Sequence, residues 1–69
     1  MILTQIGEAI RIRRKLLQLT QEDLSEMSEV SIRTIHLIEN GSGNPSFNTL
    51  YQLFQVLGLD LSINIKETN

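Results

Sequence analysis

The stretch Ser31 to Asn40 holds the densest set of side chains suited to acting on another molecule. Wound as a helix, at about 100° per residue, it puts Ile35 and Ile38 on one side with Ile32 at the margin. Arg33, Leu37 and Asn40 cluster on the opposite side, and His36 flanks them. An apolar residue on an outward face has no packing role of its own. Beside Arg33, Leu37 suits contact with a thymine methyl while the guanidinium pairs with guanine O6 and N7. The competing account of Leu37 is packing against the following helix or a subunit contact. A catalytic account of His36 finds no serine or cysteine nucleophile paired with an orienting carboxylate, and no glycine-rich phosphate loop. Gly41-Ser42-Gly43 is better explained as helix termination. No enzymatic activity is expected.

Glu39 falls on the inward side of the same helix, between Ile35 and Ile32. A carboxylate there needs a cation or several backbone donors, because an unpaired buried charge is costly. Arg14, beside an apolar stripe upstream, is the candidate. Arg13 lies nearer the centre of that stripe and competes for Glu39.

These side chains sit in a chain of 69 residues, room for one small domain. Hydrophobic residues make up 41% and charged residues 20%, an ordinary globular balance. With no cysteine and one histidine, neither a disulfide framework nor a thiolate or histidine-rich metal site is expected. No apolar run approaches the ~20 residues of a membrane span. The N-terminus has neither a basic segment nor a long apolar one, so no signal peptide is expected and the cytoplasm is the expected compartment. The net charge of −2 argues at first against nucleic acid, but the sum hides an asymmetry. Arg11, Arg13, Arg14 and Lys15 face only Glu8 in the first twenty residues, and the remainder is acidic. The local distribution governs contact with phosphate. A basic run of this kind is also what a plain solvated helix face looks like.

Punctuation divides the chain into four short helices. Thr4 can cap the first, with Ile6, Ile10 and Leu17 along one stripe. Thr20 caps the second, with Glu22 and Asp23 in its first turn and Leu24 and Met27 facing inward. Glu29-Val30 make a tight break, and Ser31 caps a third helix that Gly41 stops. Ser46 caps a fourth helix, carrying Leu50, Leu53, Phe54 and Leu57, and Gly58 ends it. The period then changes. Leu59, Leu61, Ile63 and Ile65 alternate with polar residues, which reads as a half-buried strand. Nothing else in the chain alternates, so its ladder partner would be the same strand of a second subunit. The other account is a tail draped over the helices.

Thr20-Gln21-Glu22-Asp23-Leu24, Val30-Ser31, Thr34-Ile35 and Ile38-Glu39-Asn40-Gly41 have the spacing of one known family. With Arg11 to Lys15 upstream and Asn44-Pro45-Ser46 through Leu59 downstream, the chain resembles the XRE/Cro/CI helix-turn-helix family over about residues 5–60. Its shortness and alternating end look most like the HipB-type antitoxins, dimeric repressors that also bind a HipA-type kinase toxin. The resemblance implies an all-α, lambda-repressor-like bundle over residues 1–58. A dimerising strand over residues 59–66 and a tail over 67–69 would follow.

The implied partners are a double-stranded DNA operator, a second copy of the chain and a HipA-type kinase, with no cofactor. The alternative is a stand-alone regulator of a phage or mobile element. By position, Ser31, Ile32, Arg33, His36 and Leu37 are implied to face bases. Gln21, Thr34, Asn40, Ser42 and Asn44 are implied to hold phosphates, and Arg14 with Glu39 is the implied structural ion pair. The chain departs from the family at Glu29, where most members place a glycine with positive φ; this costs a non-glycine residue about 1 kcal/mol. Ser25 and Ser28 stand where small alanines are usual, which implies looser packing or hydrogen bonds to backbone.

Overall fold

A computed structural model describes residues 2–62. Four helices form the bundle: α1, Ile2–Leu16; α2, Gln21–Ser28; α3, Ile32–Glu39; and α4, Phe47–Leu57. No strand occurs among the described residues; Leu59 to Ser62 are irregular. Ile63 and Ile65 lie outside the described residues.

Local chemistry sets most of the helix ends. Thr20 caps α2 in a complete capping box: its hydroxyl accepts from the Asp23 N–H at 3.0 Å, and the Asp23 carboxylate accepts from the Thr20 N–H at 2.9 Å. Ser31 and Ser46 cap α3 and α4 by accepting from the N–H three residues on, each at 3.1 Å. At the end of α3, Gly41 takes φ +74°. Its N–H donates to the Ile38 carbonyl and that of Ser42 to the Leu37 carbonyl, the two bonds of a Schellman motif. Thr4 is not a cap. Helix α1 already runs from Ile2, and Thr4 instead lies under Gly41, where an added Cβ would meet its hydroxyl at 3.0 Å.

Ile10, Leu24, Val30, Ile35, Ile38, Leu50, Leu53, Phe54 and Leu57 form the core, with Ile6, Leu19, Val56 and Leu59 packed against it. Two residues expected inside are outside. Met27 is 58% exposed because α2, only eight residues long, turns Leu24 and Ser28 inward instead. Leu17 is 41% exposed because α1 stops at Leu16 and the chain leaves the helical stripe there. Leu19 takes its place beside the core.

The tightest crossing is between α1 and α3. A Cβ added to Gly7 would overlap the Ile38 carbonyl oxygen. Glycine in mid-helix weakens α1 intrinsically, but here it lets α3 seat directly on α1.

Candidate nucleic-acid interface

The turn joining α2 to α3 is built from side chains that bond to backbone. Glu29 caps α2 with φ 62°, the left-handed region, and its N–H donates to the Ser25 carbonyl at 2.9 Å. The Ser25 hydroxyl donates to the Val30 carbonyl at 2.6 Å, and the Ser28 hydroxyl accepts from the Val30 N–H at 3.2 Å. The two serines therefore satisfy the backbone of the turn, and Val30 is buried beneath it. Ser31 then starts α3, its hydroxyl donating to Thr34 Oγ1 at 2.9 Å while accepting from the Thr34 N–H.

At the other end of α3 sits a buried ionic node. Arg14 Nε donates to Glu39 Oε2 at 2.7 Å and Nη2 donates to Oε1 at 2.9 Å. Arg14 Nη1 donates to the Leu19 carbonyl at 2.8 Å, and Gln21 Nε2 donates to Glu39 Oε1 at 3.3 Å. The Arg14 and Glu39 side chains are only 10% and 3% exposed. The hydrogen bond to Glu39 raises the Arg14 pKa above its ordinary value, against the opposing effect of burial. This bidentate geometry ties α1, the start of α2 and the end of α3 together. Arg13 does not compete: its Nε donates to the Leu57 carbonyl at 2.8 Å, at the C-terminal end of α4.

With Ile35, Ile38 and Glu39 turned inward, α3 presents Ser31, Ile32, Arg33, His36 and Leu37 outward, all exposed. Ile32 is 44% and Leu37 38% exposed. Ion pairs among the described residues are Glu8–Arg11 and Arg14–Glu39, so the Arg33 guanidinium is free there. His36 Nε2 lies 3.2 Å from the Asn40 side-chain amide. Leu37 lies beside the loop after α3 and lines a cavity with Ser42, Gly43 and Asn44. Its inner edge rests on the loop after α3, where a Cβ on Gly43 would touch it at 3.4 Å. That contact had no sequence signal beyond the glycine itself, whose φ of +80° the loop requires.

The residues assigned to phosphate contact fall in two places. Thr34, Ser42 and Asn44 line a shallow cavity of about 140 Å³ beside Leu37, with Asn40 at the adjoining helix end. Gln21 stands apart at the start of α2, half-buried, with its amide committed to Glu39. The Asp23 N–H is already taken by the cap, and Glu22 and Asp23 are exposed in the same turn. The capping box therefore leaves the start of α2 only partly open.

The short helix pair, the tight turn and the outward second helix define a helix-turn-helix protein. The helix-turn-helix family model matches residues 10–64, most of the chain, and the chain belongs to that family, in its XRE type. It is a DNA-binding regulator; the family is a regulatory one, not one of enzymes. No curated protein matches the chain. No helix among the described residues is long and apolar enough to cross a membrane.

Proposed function

We propose that this chain is a sequence-specific repressor in which the outward face of α3 reads bases in the major groove of a roughly palindromic operator. The observation that carries this reading is the combination at Arg33: an exposed guanidinium with no ion pair among the described residues, one helical turn from an exposed leucine, on a helix whose opposite end is anchored by a buried ion pair. The planar guanidinium fork suits bidentate contact with guanine, and the leucine suits a neighbouring thymine methyl. Ser31, Ile32 and His36 flank that pair. Thr34, Asn40, Ser42 and Asn44 on one side and Gln21 on the other hold the phosphates that fix the register. Arg33→Ala should weaken operator binding by about 1–3 kcal/mol and relax specificity at one base position. Titration on operator and random duplexes decides: equal losses on both would show that Arg33 contacts only the backbone.

One short reading helix gives limited affinity, so the repressor works as a two-fold dimer with half-sites about one helical turn apart, ~34 Å. The alternation of Leu59, Leu61, Ile63 and Ile65 supports strand pairing between two copies. Deleting residues 60–69 would then yield a monomer by sedimentation, and an unchanged mass would rule the strand out.

The biological role is that of a cytoplasmic, autoregulating antitoxin restraining a HipA-type kinase. The likeness to HipB-type chains supports this, as does the acidic, exposed α2 side formed by Glu22, Glu26 and Glu29 around Met27, which is poorly suited to DNA. A pull-down from the host tests it. A stoichiometric kinase-sized partner confirms the antitoxin, while the dimer with promoter DNA alone makes the chain a stand-alone regulator.

A further inference from the structure

The chain has one histidine, and it stands on the outward face of α3. His36 lies in the last turn of that helix, one turn after Arg33, the single lysine or arginine that α3 carries. Its Nε2 is 3.2 Å from the side-chain amide nitrogen of Asn40, and both residues are exposed. An amide N–H2 group donates and does not accept, so in this geometry the ring nitrogen accepts. The imidazole is then neutral, with its proton on Nδ1. A proton added at Nε2 makes that nitrogen a donor and sets two donors against each other. The Asn40 amide has to turn over, offering Oδ1 to the ring and directing its N–H2 group away from it.

We propose that DNA binding through this face takes up a proton at His36 and is strengthened by it. The inference rests on the reading of α3 proposed above and names the regulation of that site. Protonation raises the cations on the outward face from Arg33 alone to Arg33 and His36, and each added cation near phosphate releases counterions. It also turns the Asn40 N–H2 group free for a phosphate oxygen. Imidazole is the side chain whose ordinary titration falls between about pH 5 and 8. A place in the last turn of a helix favours the charged ring, because the final carbonyls carry partial negative charge. The surroundings leave the proton to the ring, since no ion pair among the described residues involves His36. On α1, Glu8 and Arg11 pair with each other, Lys15 follows on their side, Arg13 holds the Leu57 carbonyl and Arg14 is committed to Glu39. On α2, Asp23 is taken up in the Thr20 cap, and Glu29 follows the helix. Glu22 and Glu26 line a hollow beside Ile32, four residues before His36. Their charge favours the protonated ring in the same sense as DNA, so the response on binding is the increment that phosphate adds. Residues 41–46 and α4 carry no charge.

Affinity measured between about pH 5.5 and 8 at constant ionic strength tests this. The probes are a random-sequence duplex pool and the duplex that the chain selects from it. Binding should tighten about tenfold from the high end to the low end, and the salt slope should steepen by up to about 0.9. His36→Gln should give a flat pH profile and one salt slope throughout. Asn40→Ala should keep the charge gain and lose part of the response; a full response there overturns the turning of the amide. As the one histidine, His36 gives an isolated ring signal in NMR, and its titration midpoint should rise when DNA is added. An equal pH response in His36→Gln overturns the proposal, and so does a ring titration that DNA leaves unmoved. If His36→Gln fails to fold, the ring titration of the unaltered chain decides alone. Base discrimination without pH dependence overturns the proton uptake and leaves the base reading standing. Failure to bind either probe at any pH overturns both.

Discussion

At its C-terminal end α3 finishes in a glycine with φ +74° and a carboxylate held by Arg14 and Gln21, buried and saturated with hydrogen bonds. Its N-terminal end starts from a turn in which Glu29 takes φ 62° and two serine hydroxyls bond to the Val30 backbone. One end is anchored in a low-dielectric site by charge. The other rests on neutral hydrogen bonds and a non-glycine residue in a conformation that L side chains disfavour. On the proposed reading the bases are met at this second end, so the orientation of α3 is set from behind by the buried ion pair.

The contrast predicts a graded series. Glu39→Ala leaves Arg14 buried with only the Leu19 carbonyl and should cost about 3–5 kcal/mol, read as a lower urea midpoint; a loss below about 1 kcal/mol would place the anchor elsewhere. Ser25→Ala removes the bond to the Val30 carbonyl and should cost about 1 kcal/mol. Faster amide exchange at Thr34 and Ile35, whose N–H groups bond to Ser31, with Asn40 unaffected, would locate the loss at the N-terminal end of α3. Glu29→Gly relieves the left-handed backbone and should raise stability by about 0.5–1 kcal/mol. It also removes a negative charge beside the start of α3, so on the proposed reading non-specific DNA binding should tighten; unchanged melting would mean the turn is not strained.

The smallest effect is a pH dependence in the α2 cap. Hydrogen bonds from the Thr20 N–H and side chain hold the Asp23 carboxyl below its ordinary value of 3.8. A lowered folded pKa means the contribution is complete above the unfolded value and is lost as pH falls through the lower folded one. Urea midpoints at about pH 5 and pH 3 should therefore fall less in Asp23→Asn than in the unaltered chain.

The pairing of Glu39 shows where sequence reading runs out. The inward direction of Glu39 follows from helix period alone, yet Arg13 and Arg14 both border the same stripe and periodicity does not separate them. The choice is made by the crossing at Gly7, which turns Arg14 toward α3 and Arg13 toward the end of α4. Met27 and Leu17 fail for a related reason, since each obeys a period that stops being relevant when its helix ends or rotates. Ser25 and Ser28 stood open between loose packing and backbone hydrogen bonds, and the geometry shows the second.

The sequence by itself determined where the helices α2, α3 and α4 begin and which residues end α3 and α4. Caps and glycine stops act within about one turn, through groups only a few residues apart. It also determined the outward set on α3, because that follows from the period of one short helix. Tertiary structure decided that Arg13 goes to the Leu57 carbonyl and leaves Glu39 to Arg14, and that Ile2, Ile12 and Leu16 of α1 stay uncovered. Those outcomes depend on how whole helices rotate and cross, a balance struck among groups far apart in the chain.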